Sequence, residues 1–461
     1  MSYTKIKKLA YTSGFVSLTA ICLEGIASLG IEILTLRQLV PVAGTSIPVT
    51  STAIALFLLF LAAGYYFGGS VTDNYLRRVG KNFYLAGAWA GVSLSSLTTA
   101  LFFANKLPIM IQLWLYLLVC MAPPVFWLGQ TVPILSNLFK MARTGEASGT
   151  ALFLSTIGSF LGSLLISLVL MRYLGVSITL FVVTIGLTLM GMFIDDRKLS
   201  TLGALLGVCA MSVSATFNIL QPAKMFSSQT AYADYRVVEN DKAKIFLVNE
   251  QYASGILKSG ENFPYIEKIR NLIDDMGVKN QEILVIGSGG FTLSQLRPGN
   301  NFNHYKYVDI DPDIAKNVVS SGFLKKINGE FIPQDGRVFL HHSNMDGKHY
   351  PVIIIDAYTS QVSVPSHLSV VEFHREIQSA LSVDGVVIYN IISDPLLTTK
   401  FAQNSLASIQ SVFGPCAVNV LNYKDAQSNV LVVCSAKSAK MTRQAYFDER
   451  NNVSFDLFEA R

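Results

Sequence analysis

Apolar residues are distributed unevenly along the chain, and their distribution divides it into two parts. Between about residues 9 and 220 most stretches of helix length are apolar, whereas Asp, Glu, Lys and Arg return after that point. A segment of about 20 apolar residues is long enough to cross a bilayer as a helix. The pattern therefore predicts a multi-pass α-helical membrane domain followed by a domain outside the bilayer.

Seven apolar segments of spanning length follow one another in the first part. They cover about residues 10–34, 48–70, 83–104, 109–130, 148–171, 174–194 and 200–220. The first segment is too long for a signal peptide and lacks a clear small-residue cleavage site. The sequence therefore predicts about seven transmembrane helices, with the lipid bilayer as a partner.

Lys and Arg in the short loops predict the orientation of these helices. One side collects ten of them: Lys5, Lys7, Lys8, Arg77, Arg78, Lys81, Lys140, Arg143, Arg197 and Lys198. The other side collects four: Arg37, Lys106, Arg172 and Lys224. The N-terminus is therefore expected in the cytoplasm, and seven crossings of a cell (inner) membrane place the second domain outside it. If residues 200–220 lie on the surface or re-enter, that domain is cytoplasmic instead.

Three charged residues lie within or near the end of the first segment. Glu24 is well inside it, where an acid is costly and usually faces a cavity or a polar partner. Glu32 and Arg37 are near the far interface, where they can pair with each other or extend to water. Glycines four residues apart favour helix packing over a substrate path: Gly64 and Gly68, Gly87 and Gly91, and Gly158 and Gly162.

After residue 222 short strands alternate with amphipathic helices. Strands are predicted at about 282–287, 304–310, 337–341, 351–356 and 384–391, with a final hairpin at 416–421 and 429–435. Helices are predicted near 291–297, 312–319, 368–382 and 397–412. This alternation predicts an α/β Rossmann-like domain with a parallel sheet. The expected domains are 1–222 (membrane), 223–280 (linker, small β-sheet and helix), 281–440 (Rossmann-like) and 441–461 (C-terminal tail).

The stretch "EILVIGSGGFTLSQL" contains the most distinctive local pattern of the second part. A buried strand breaks into Gly287, Ser288 and Gly289, which allow a tight turn and a close approach to a ligand. Asp309 follows about twenty residues later, where nucleotide-binding βαβ units place the acid that binds ribose hydroxyls. Ligands of such sheets bind beyond the carboxyl ends of the strands, where Asn344 and Asp356 are also expected.

Composition excludes several other functions. The net charge of +5 comes without a basic stripe, which argues against nucleic acid as a partner. The five Cys form no C-x₂-C pair, so no zinc site and no other metal is expected. Cys416 and Cys434 would face each other if the final hairpin pairs symmetrically about Asp425. They are free thiols in cytosol, and a disulfide between them is expected in an oxidising compartment.

Several motifs resemble the spermidine synthase-like (polyamine aminopropyltransferase) family. "GIEILTLRQL" and "APPVFWLGQTVPILSNL" are similar to spans of its membrane-fused members. In the second part "ENFPYIEKI", "VDIDPDI" and "VIIIDAYTSQVSVPSHLSVVEFHREI" resemble the acid-x-Phe-x-Tyr segment, the ribose-binding segment and the catalytic strand with its gate loop. The resemblance covers roughly residues 235–435 of the second part.

This resemblance implies roles for individual residues. Decarboxylated S-adenosylmethionine, or a related nucleoside, would bind at Gln251, Tyr265, Gly287, Ser288, Gly289, Asp309 and Asn344, with Asp309 at the ribose and Asn344 beside the adenine. A polyamine-like amine would bind at Glu261, Asp356, Tyr358 and Pro365, with Pro365 in the gate. Asp356 and Thr359 occupy the catalytic positions.

The chain departs from the family pattern at these positions. The glycine loop "GSGGFTL" has no Asp, the adenine-side acid is Asn344, and Ile266 stands at a His position. Thr359 occupies the position of the proton-accepting Asp, and a Thr hydroxyl cannot accept a proton at neutral pH. Whether aminopropyl transfer survives is therefore open.

Three functions remain after these observations. The first is aminopropyl transfer to a polyamine-like amine. The second is binding or sensing of a nucleoside or polyamine without the reaction. The third is a transporter or scaffold with a regulatory domain, supported by Glu24 alone. The sequence also leaves homo-oligomers open.

Overall fold

A computed structural model describes residues 3–44, 46–104, 107–137, 144–194, 201–220, 228–230, 232–249, 251–295, 303–358 and 364–436, together with residues 446, 448, 453 and 456. The chain separates into two compact units. The first comprises Met1–Ala43, Val49–Met225 and Gln229–Ala231, and the second comprises Gly44–Pro48, Phe226–Ser228 and Tyr232–Arg461.

The first unit is helical in its described residues apart from short turns and Gln229–Thr230. Its α-helices are α1 (Tyr3–Ala43), α2 (Ile47–Gly69), α3 (Tyr75–Ser93), α4 (Ser96–Phe103), α5 (Ile109–Tyr116), α6 (Ala122–Gly129), α7 (Thr131–Ser136), α8 (Thr144–Leu164), α9 (Met171–Ile194) and α10 (Thr201–Ala215). π-helical turns continue three of them, at Leu117–Met121, Leu165–Leu170 and Thr216–Leu220.

In the described part of the chain, fewer helices than the predicted seven pass as separate membrane spans by length and composition. Among the described residues four helices are long and apolar enough to span a bilayer: Phe15–Ala43, Ile47–Gly69, Ile109–Ser136 and Gly145–Ile194. A fifth forms if Tyr75–Ser93 and Ser96–Phe103, which meet at a bend of 60°, make one span. Two predicted spans, 148–171 and 174–194, lie within Gly145–Ile194, where the non-helical backbone of Gly175 (φ 76°, ψ 175°) makes a kink between two helices. The last predicted span, 200–220, corresponds to α10 and the π-helical turn that continues it to Leu220, and its apolar part, Gly207–Leu220, is short.

The predicted glycine pairs lie where helices pack most closely. A Cβ on Gly64 would lie 2.6 Å from the carbonyl oxygen of Phe126, and one on Gly87 would lie 2.6 Å from that of Thr184. A Cβ on Gly158 would overlap the backbone of Cys22. Only glycine allows these backbones to approach each other so closely, which is the packing expected of small residues in a helical bundle.

The second unit begins with a small antiparallel sheet and one helix. After a two-residue strand, β1 (Ser228–Gln229), the strands β2 (Asp234–Glu239), β3 (Ala243–Val248) and β4 (Gln251–Leu257) pair in sequence. Helix α11 (Pro264–Asp275) follows and ends just before Gly277, whose φ of 68° suits a helix C-terminus.

The main sheet of the second unit has seven strands. Its strands are β5 (Glu282–Ile286), β6 (His304–Asp309), β7 (Glu330–Pro333), β8 (Tyr350–Ile355), β9 (Leu381–Ser393), β10 (Ala417–Val420) and β11 (Ser428–Ser435). Its helices are α12 (Ile314–Ser320), α13 (Gly336–Met345), α14 (Val371–Ala380) and α15 (Lys400–Phe413). The strand order is β10-β11-β9-β8-β5-β6-β7. Strands β7, β6, β5, β8 and β9 are parallel, and β11 runs antiparallel to both β9 and β10.

Strand β5 shows why this sheet is buried on both faces. Ile283 and Val285 belong to one hydrophobic cluster, whereas Leu284 and Ile286 belong to a second one. Because side chains of a strand alternate between faces, a strand with helices on both sides must be apolar at every position. The strand order reverses at β5, whose neighbours are β6 and β8, so the crevice for a ligand is expected beyond the carboxyl end of β5.

Two predicted elements are wrong. Residues 337–341 belong to helix α13, because Asp335 accepts hydrogen bonds from the amides of Arg337 and Val338 and starts a helix there. The third strand of the sheet is β7, earlier in the chain. The predicted helix 291–297 is only a 3₁₀ turn, Thr292–Ser294, and residues 296 and 297 lie outside the described residues.

The final hairpin has the predicted register and contains a disulfide. Ala417 pairs with Val433 and Val420 pairs with Val430, so the strands are symmetric about Asp425. This register places Cys416 opposite Cys434, and their sulfur atoms are bonded.

Candidate functional site

Gly287 forms the turn at the carboxyl end of β5. Its φ is 90°, a value that only glycine adopts readily, and a Cβ there would overlap the carbonyl oxygen of Asp356. Its amide donates to the carbonyl oxygen of Val308 at 2.9 Å, and the amide of Asp356 donates to that of Ile286 at 2.8 Å. These contacts bring the ends of β5, β6 and β8 to one point.

Ser288 connects this turn to Asp309 at the end of β6. Its amide and its hydroxyl both donate to Oδ2 of Asp309, at 2.9 and 2.7 Å. The other carboxylate oxygen, Oδ1, accepts the amide of Asp311 at 3.1 Å. Burial raises the pKa of Asp309, and the hydrogen bonds from Ser288 and Asp311 partly offset that rise. Gly287, Ser288 and Asp309 therefore lie together, as their spacing in the sequence predicts.

Most amides of the glycine loop bind groups of the protein. The amide of Gly290 donates to Oγ of Ser254 at 2.8 Å, and the amide of Phe291 donates to the carbonyl oxygen of Ser288 at 2.9 Å. A loop that binds phosphate presents its free amides to the anion. Within the described loop from Gly287 to Phe291, the amide of Gly289 alone lacks such a bond, so the loop fits an uncharged ribose better than a phosphate.

Arg270 of helix α11 holds the segment that follows the loop. Its guanidinium donates to the carbonyl oxygens of Thr292 at 2.5 Å, Leu293 at 3.1 Å and Gln295 at 2.9 Å. Burial lowers the pKa of Arg270, which is only 5% exposed. These three carbonyl groups therefore accept hydrogen bonds from a side chain. In a helix they would accept them from backbone amides.

Asp356 lies beyond the carboxyl end of β8 in a polar cluster. Its Oδ1 accepts Nδ2 of Asn390 at 2.7 Å, and its Oδ2 lies 3.2 Å from the hydroxyl of Tyr265. That hydroxyl is also 3.1 Å from the carbonyl oxygen of Ala253. Burial raises the pKa of Asp356, while Asn390 and Tyr265 act in the opposite direction. The same burial raises the pKa of Tyr265, so its phenol stays a hydrogen-bond donor at neutral pH.

Two predicted site residues serve other contacts. Asn344 is on the last turn of helix α13, not at a strand end, and its Nδ2 donates to the carbonyl oxygen of Glu376 at 2.9 Å. Asn344 was expected at a strand end because residues 337–341 were predicted as a strand, whereas they belong to helix α13. The hydroxyl of Tyr358 accepts the amide of Ile392 and donates to the carbonyl oxygen of Asn390, so it ties the backbone to β9.

Four other predicted residues are placed as follows. Gln251 is the first residue of β4, three positions before Ser254, which contacts the glycine loop. Glu261 is exposed in the connection before α11. Pro365 precedes the 3₁₀ turn Ser366–Leu368 at the end of the gate segment. Thr359 lies outside the described residues.

Three polar residues at this edge of the sheet were not predicted. Ser254 of β4 binds the glycine loop, and Asn390 of β9 binds Asp356. Asp335 follows β7, and its Oδ2 is 2.9 Å from Nε2 of His367. No local pattern marks Ser254 or Asn390, because their partners are distant in sequence. The position of Asp335 before an apolar run is a helix N-cap signal that could have identified it.

A small cavity lies beside Asn390 on the side of helices α14 and α15. It has a volume of about 40 Å³ and is lined by apolar side chains together with Tyr358, Ser369, His374, Tyr389, Asn390 and Ser405. His374 is buried and its Nδ1 is 3.0 Å from the hydroxyl of Tyr389. Burial lowers the pKa of His374 to about 3, so its imidazole is neutral at physiological pH. The described residues contain no group of three His, Cys, Asp or Glu side chains that could bind a metal.

The three predicted charged residues of the first unit, Glu24, Glu32 and Arg37, are buried. Glu24 is 1% exposed, and its two carboxylate oxygens accept hydroxyls of Ser28 and Ser155, each at 2.8 Å. Glu32 is 8% exposed, and Arg37 donates to the carbonyl oxygen of Thr230 at 3.2 Å. Ser155 is on α8, so the Glu24 carboxyl joins two closely packed helices.

The second part of the chain is similar in sequence to known proteins. Residues 262–445 match the spermine/spermidine synthase domain. A polyamine aminopropyltransferase from Vibrio vulnificus (strain CMCP6) is 29% identical over 158 residues, which are 33% of this chain and 50% of that protein. The chain thus spans about half the length of this curated relative.

Two solved structures are also similar. A spermidine synthase from Thermotoga maritima has 18% sequence identity and a TM-score of 0.38, with 50% of this chain and 83% of that chain covered. A probable spermidine synthase from Corynebacterium glutamicum ATCC 13032 has 18% identity and a TM-score of 0.37, with 45% and 78% covered.

A doubly wound α/β sheet with a glycine turn and an acid at its switch point is typical of the Rossmann-like fold class. Within this class, residues 262–445 match the spermine/spermidine synthase domain, so the second part of the chain contains a spermidine synthase-like domain.

Proposed function

We propose that the second unit binds decarboxylated S-adenosylmethionine or a related nucleoside and transfers its aminopropyl group to a polyamine-like amine. The main support is the convergence of Gly287, Asp309 and Asp356 at the carboxyl ends of three adjacent parallel strands. All three residues lie within the matched spermine/spermidine synthase domain, which supports the reaction class.

Aminopropyl transfer needs one proton acceptor at the amine. The amine nitrogen bonds to the carbon next to the sulfonium, the carbon–sulfur bond breaks, and methylthioadenosine leaves with the electron pair. We assign the proton of the amine to Asp356, because burial raises the pKa of this carboxyl and a carboxylate of raised pKa is a stronger base. Thr359, at the family's base position, cannot accept that proton.

Two measurements on the full chain in detergent test this proposal. Calorimetric titration with methylthioadenosine and with decarboxylated S-adenosylmethionine is expected to give saturable binding that Asp309→Asn weakens. Incubation of the second nucleoside with putrescine is expected to give slow turnover that Asp356→Asn abolishes while nucleoside binding persists. If neither nucleoside binds, the whole proposal is contradicted. If a nucleoside binds but putrescine is not turned over, the transferase part alone is contradicted.

We further propose that the first unit is embedded in the cell membrane with the N-terminus in the cytoplasm. The four or five long apolar helices and the distribution of Lys and Arg in the loops support this. Seven crossings would place the second unit outside, if the bent pair counts as one span, the stretch Gly145–Ile194 as two and the helix that ends at Leu220 as the last. The Cys416–Cys434 disulfide supports that side, because such bonds persist in oxidising compartments.

The second candidate function is nucleoside or polyamine binding without the reaction. The disulfide also favours this candidate, because S-adenosylmethionine-type donors are made in the cytosol and the bond suggests a different compartment. The two candidates share the nucleoside site and differ at Asp356, so turnover of putrescine distinguishes them. A C-terminal topology reporter that gives a cytoplasmic signal would favour the enzyme.

A further inference from the structure

The carboxylate of Asp309 is already bound on both oxygens by groups of the protein. Oδ2 accepts the amide and the hydroxyl of Ser288, and Oδ1 accepts the amide of Asp311. An ionised carboxylate offers about four lone-pair positions, two on each oxygen. Ser288 therefore uses both positions of Oδ2, and one position remains on Oδ1.

A ribose presents two neighbouring hydroxyls, and an acid at this place in nucleotide-binding sheets accepts hydrogen bonds from them. With one position left on Asp309, only one of the two hydroxyls can donate to it. We propose that Ser288 is a specificity-determining residue whose hydroxyl takes the place of one ribose hydroxyl, so that the site recognises the other hydroxyl alone. This inference rests on the proposed nucleoside binding and specifies which part of the ribose is recognised.

Ser288 is well placed to keep its bond when a ligand binds. Ser288 is 6% exposed, and its amide donates to the same oxygen atom as its hydroxyl, so backbone and side chain are fixed together. Hydrogen bonds to a charged acceptor are about twice as strong as neutral ones. A ribose hydroxyl that displaced the Ser288 hydroxyl would leave a buried donor without its acceptor.

The test compares three ligands with the full chain in detergent: methylthioadenosine, its 2′-deoxy analogue and its 3′-deoxy analogue. For the wild-type protein, one deoxy analogue is expected to bind within about threefold of the affinity of methylthioadenosine. The other is expected to bind about tenfold or more weakly, because it loses one hydrogen bond to a charged group. This comparison needs no variant.

A variant then tests whether Ser288 causes the asymmetry. In Ser288→Ala the second position on Oδ2 is free, so the parent nucleoside is expected to bind about tenfold more tightly and both deoxy analogues to lose about tenfold relative to it. Ser294→Ala is the matched control, because the Ser294 hydroxyl binds the carbonyl oxygen of Phe291 in the same segment and not Asp309. It is expected to keep the wild-type pattern.

The outcomes separate the inference from the proposed function. If wild type and Ser288→Ala both fail to bind any of the three nucleosides, the proposed function is wrong and the inference with it. If wild type binds the parent but loses affinity equally with both deoxy analogues, the inference alone is wrong. The inference is also wrong if Ser288→Ala unfolds like wild type and binds the three nucleosides with the same relative affinities as wild type.

Discussion

Nδ2 of Asn390 donates a 2.7 Å hydrogen bond to Oδ1 of Asp356 and so joins the end of β8 to β9. The Oδ1 atom of Asn390 accepts Nδ2 of Asn429 at 3.0 Å, which fixes the orientation of the Asn390 amide. The donor of Asn390 is therefore directed at the carboxylate. This arrangement stabilises the ionised form of Asp356 against the effect of its burial.

Replacing Asp356 by Asn is expected to make stability less dependent on pH. Burial raises the pKa of Asp356 in the folded state, so the folded protein holds this proton more tightly than the unfolded chain. Below the pKa that Asp356 has in the unfolded chain, its carboxyl is protonated in both states and does not lower the free energy of unfolding. As the pH rises from that pKa through the higher pKa of the folded state, the free energy of unfolding falls. Asp356→Asn should raise the unfolding temperature at pH 7 and leave it nearly unchanged at pH 3.5 (roughly the unfolded pKa of Asp).

Thermal unfolding of the full chain at the two pH values measures this effect. Asp384→Asn is the control, because Asp384 is exposed on β9. It should change the unfolding temperature little at either pH. An equal change in unfolding temperature for Asp356→Asn at both pH values would contradict the expected linkage.

Gly287→Ala is expected to be strongly destabilising. The new Cβ would be forced into a backbone conformation with φ of 90° and would overlap the carbonyl oxygen of Asp356. Backbone strain of this kind costs about 1–3 kcal/mol, and the overlap adds to it. Gly347→Ala is a matched control, because Gly347 has a φ of 66° with no atom within 4 Å of its Cβ position.

The difference between the two glycine variants isolates the cost of the overlap. Thermal unfolding should give a much larger loss for Gly287→Ala, and nucleoside binding should be lost in that variant alone. Equal losses of stability would mean that the turn relaxes away from Asp356.

Arg270→Met is expected to release the segment after the glycine loop. The substitution keeps much of the side-chain length but leaves the carbonyl groups of residues 292, 293 and 295 without the guanidinium that binds them. Stranded buried carbonyls cost about 1–3 kcal/mol each before relaxation, so a total loss of roughly 2–4 kcal/mol is expected. Lys268→Met, on the same helix, should be nearly neutral. Thermal unfolding and the rate of proteolysis within residues 291–295 measure the effect, and equal behaviour of the two variants would rule out this role.

The strands at the centre of the sheet could be predicted because their own residues determine them. The run from Ile283 to Ile286 is apolar at every position and ends in glycines, so both the strand and its turn are visible in sequence. The residues around Asp335 could also have been recognised, but the apolar run after it resembles a strand unless Asp335 is identified as an N-cap. For the same reason Asn344 was predicted at a strand end, whereas it lies on a helix.

The rest of the site depends on partners that are far apart in the chain. Ser254 and Gly290 are 36 residues apart, and Asn390 and Asp356 are 34 apart. No periodicity or spacing connects such pairs, because the contact exists only after the small sheet and β9 have packed beside the central strands. The predicted helix is replaced by a 3₁₀ turn in residues 291–295 for a similar reason, since the carbonyl groups of that segment bind Arg270 from another helix.

The disulfide predicts how the cysteines react in protein taken from membranes without reduction. Cys416 and Cys434 are bonded, whereas Cys22, Cys120 and Cys209 are free. Alkylation after denaturation should therefore modify three thiols, all in the first unit, and leave the two of the hairpin unmodified. Reduction should lower stability by about 3 kcal/mol, the value expected for closing a loop of this length, since the two cysteines are 18 residues apart. Cys416→Ala is the control, because it frees Cys434 for alkylation. Five modified thiols in the unreduced wild-type protein would show that the hairpin is reduced in the cell, and the second unit would then belong in the cytoplasm, where the nucleoside donor is made.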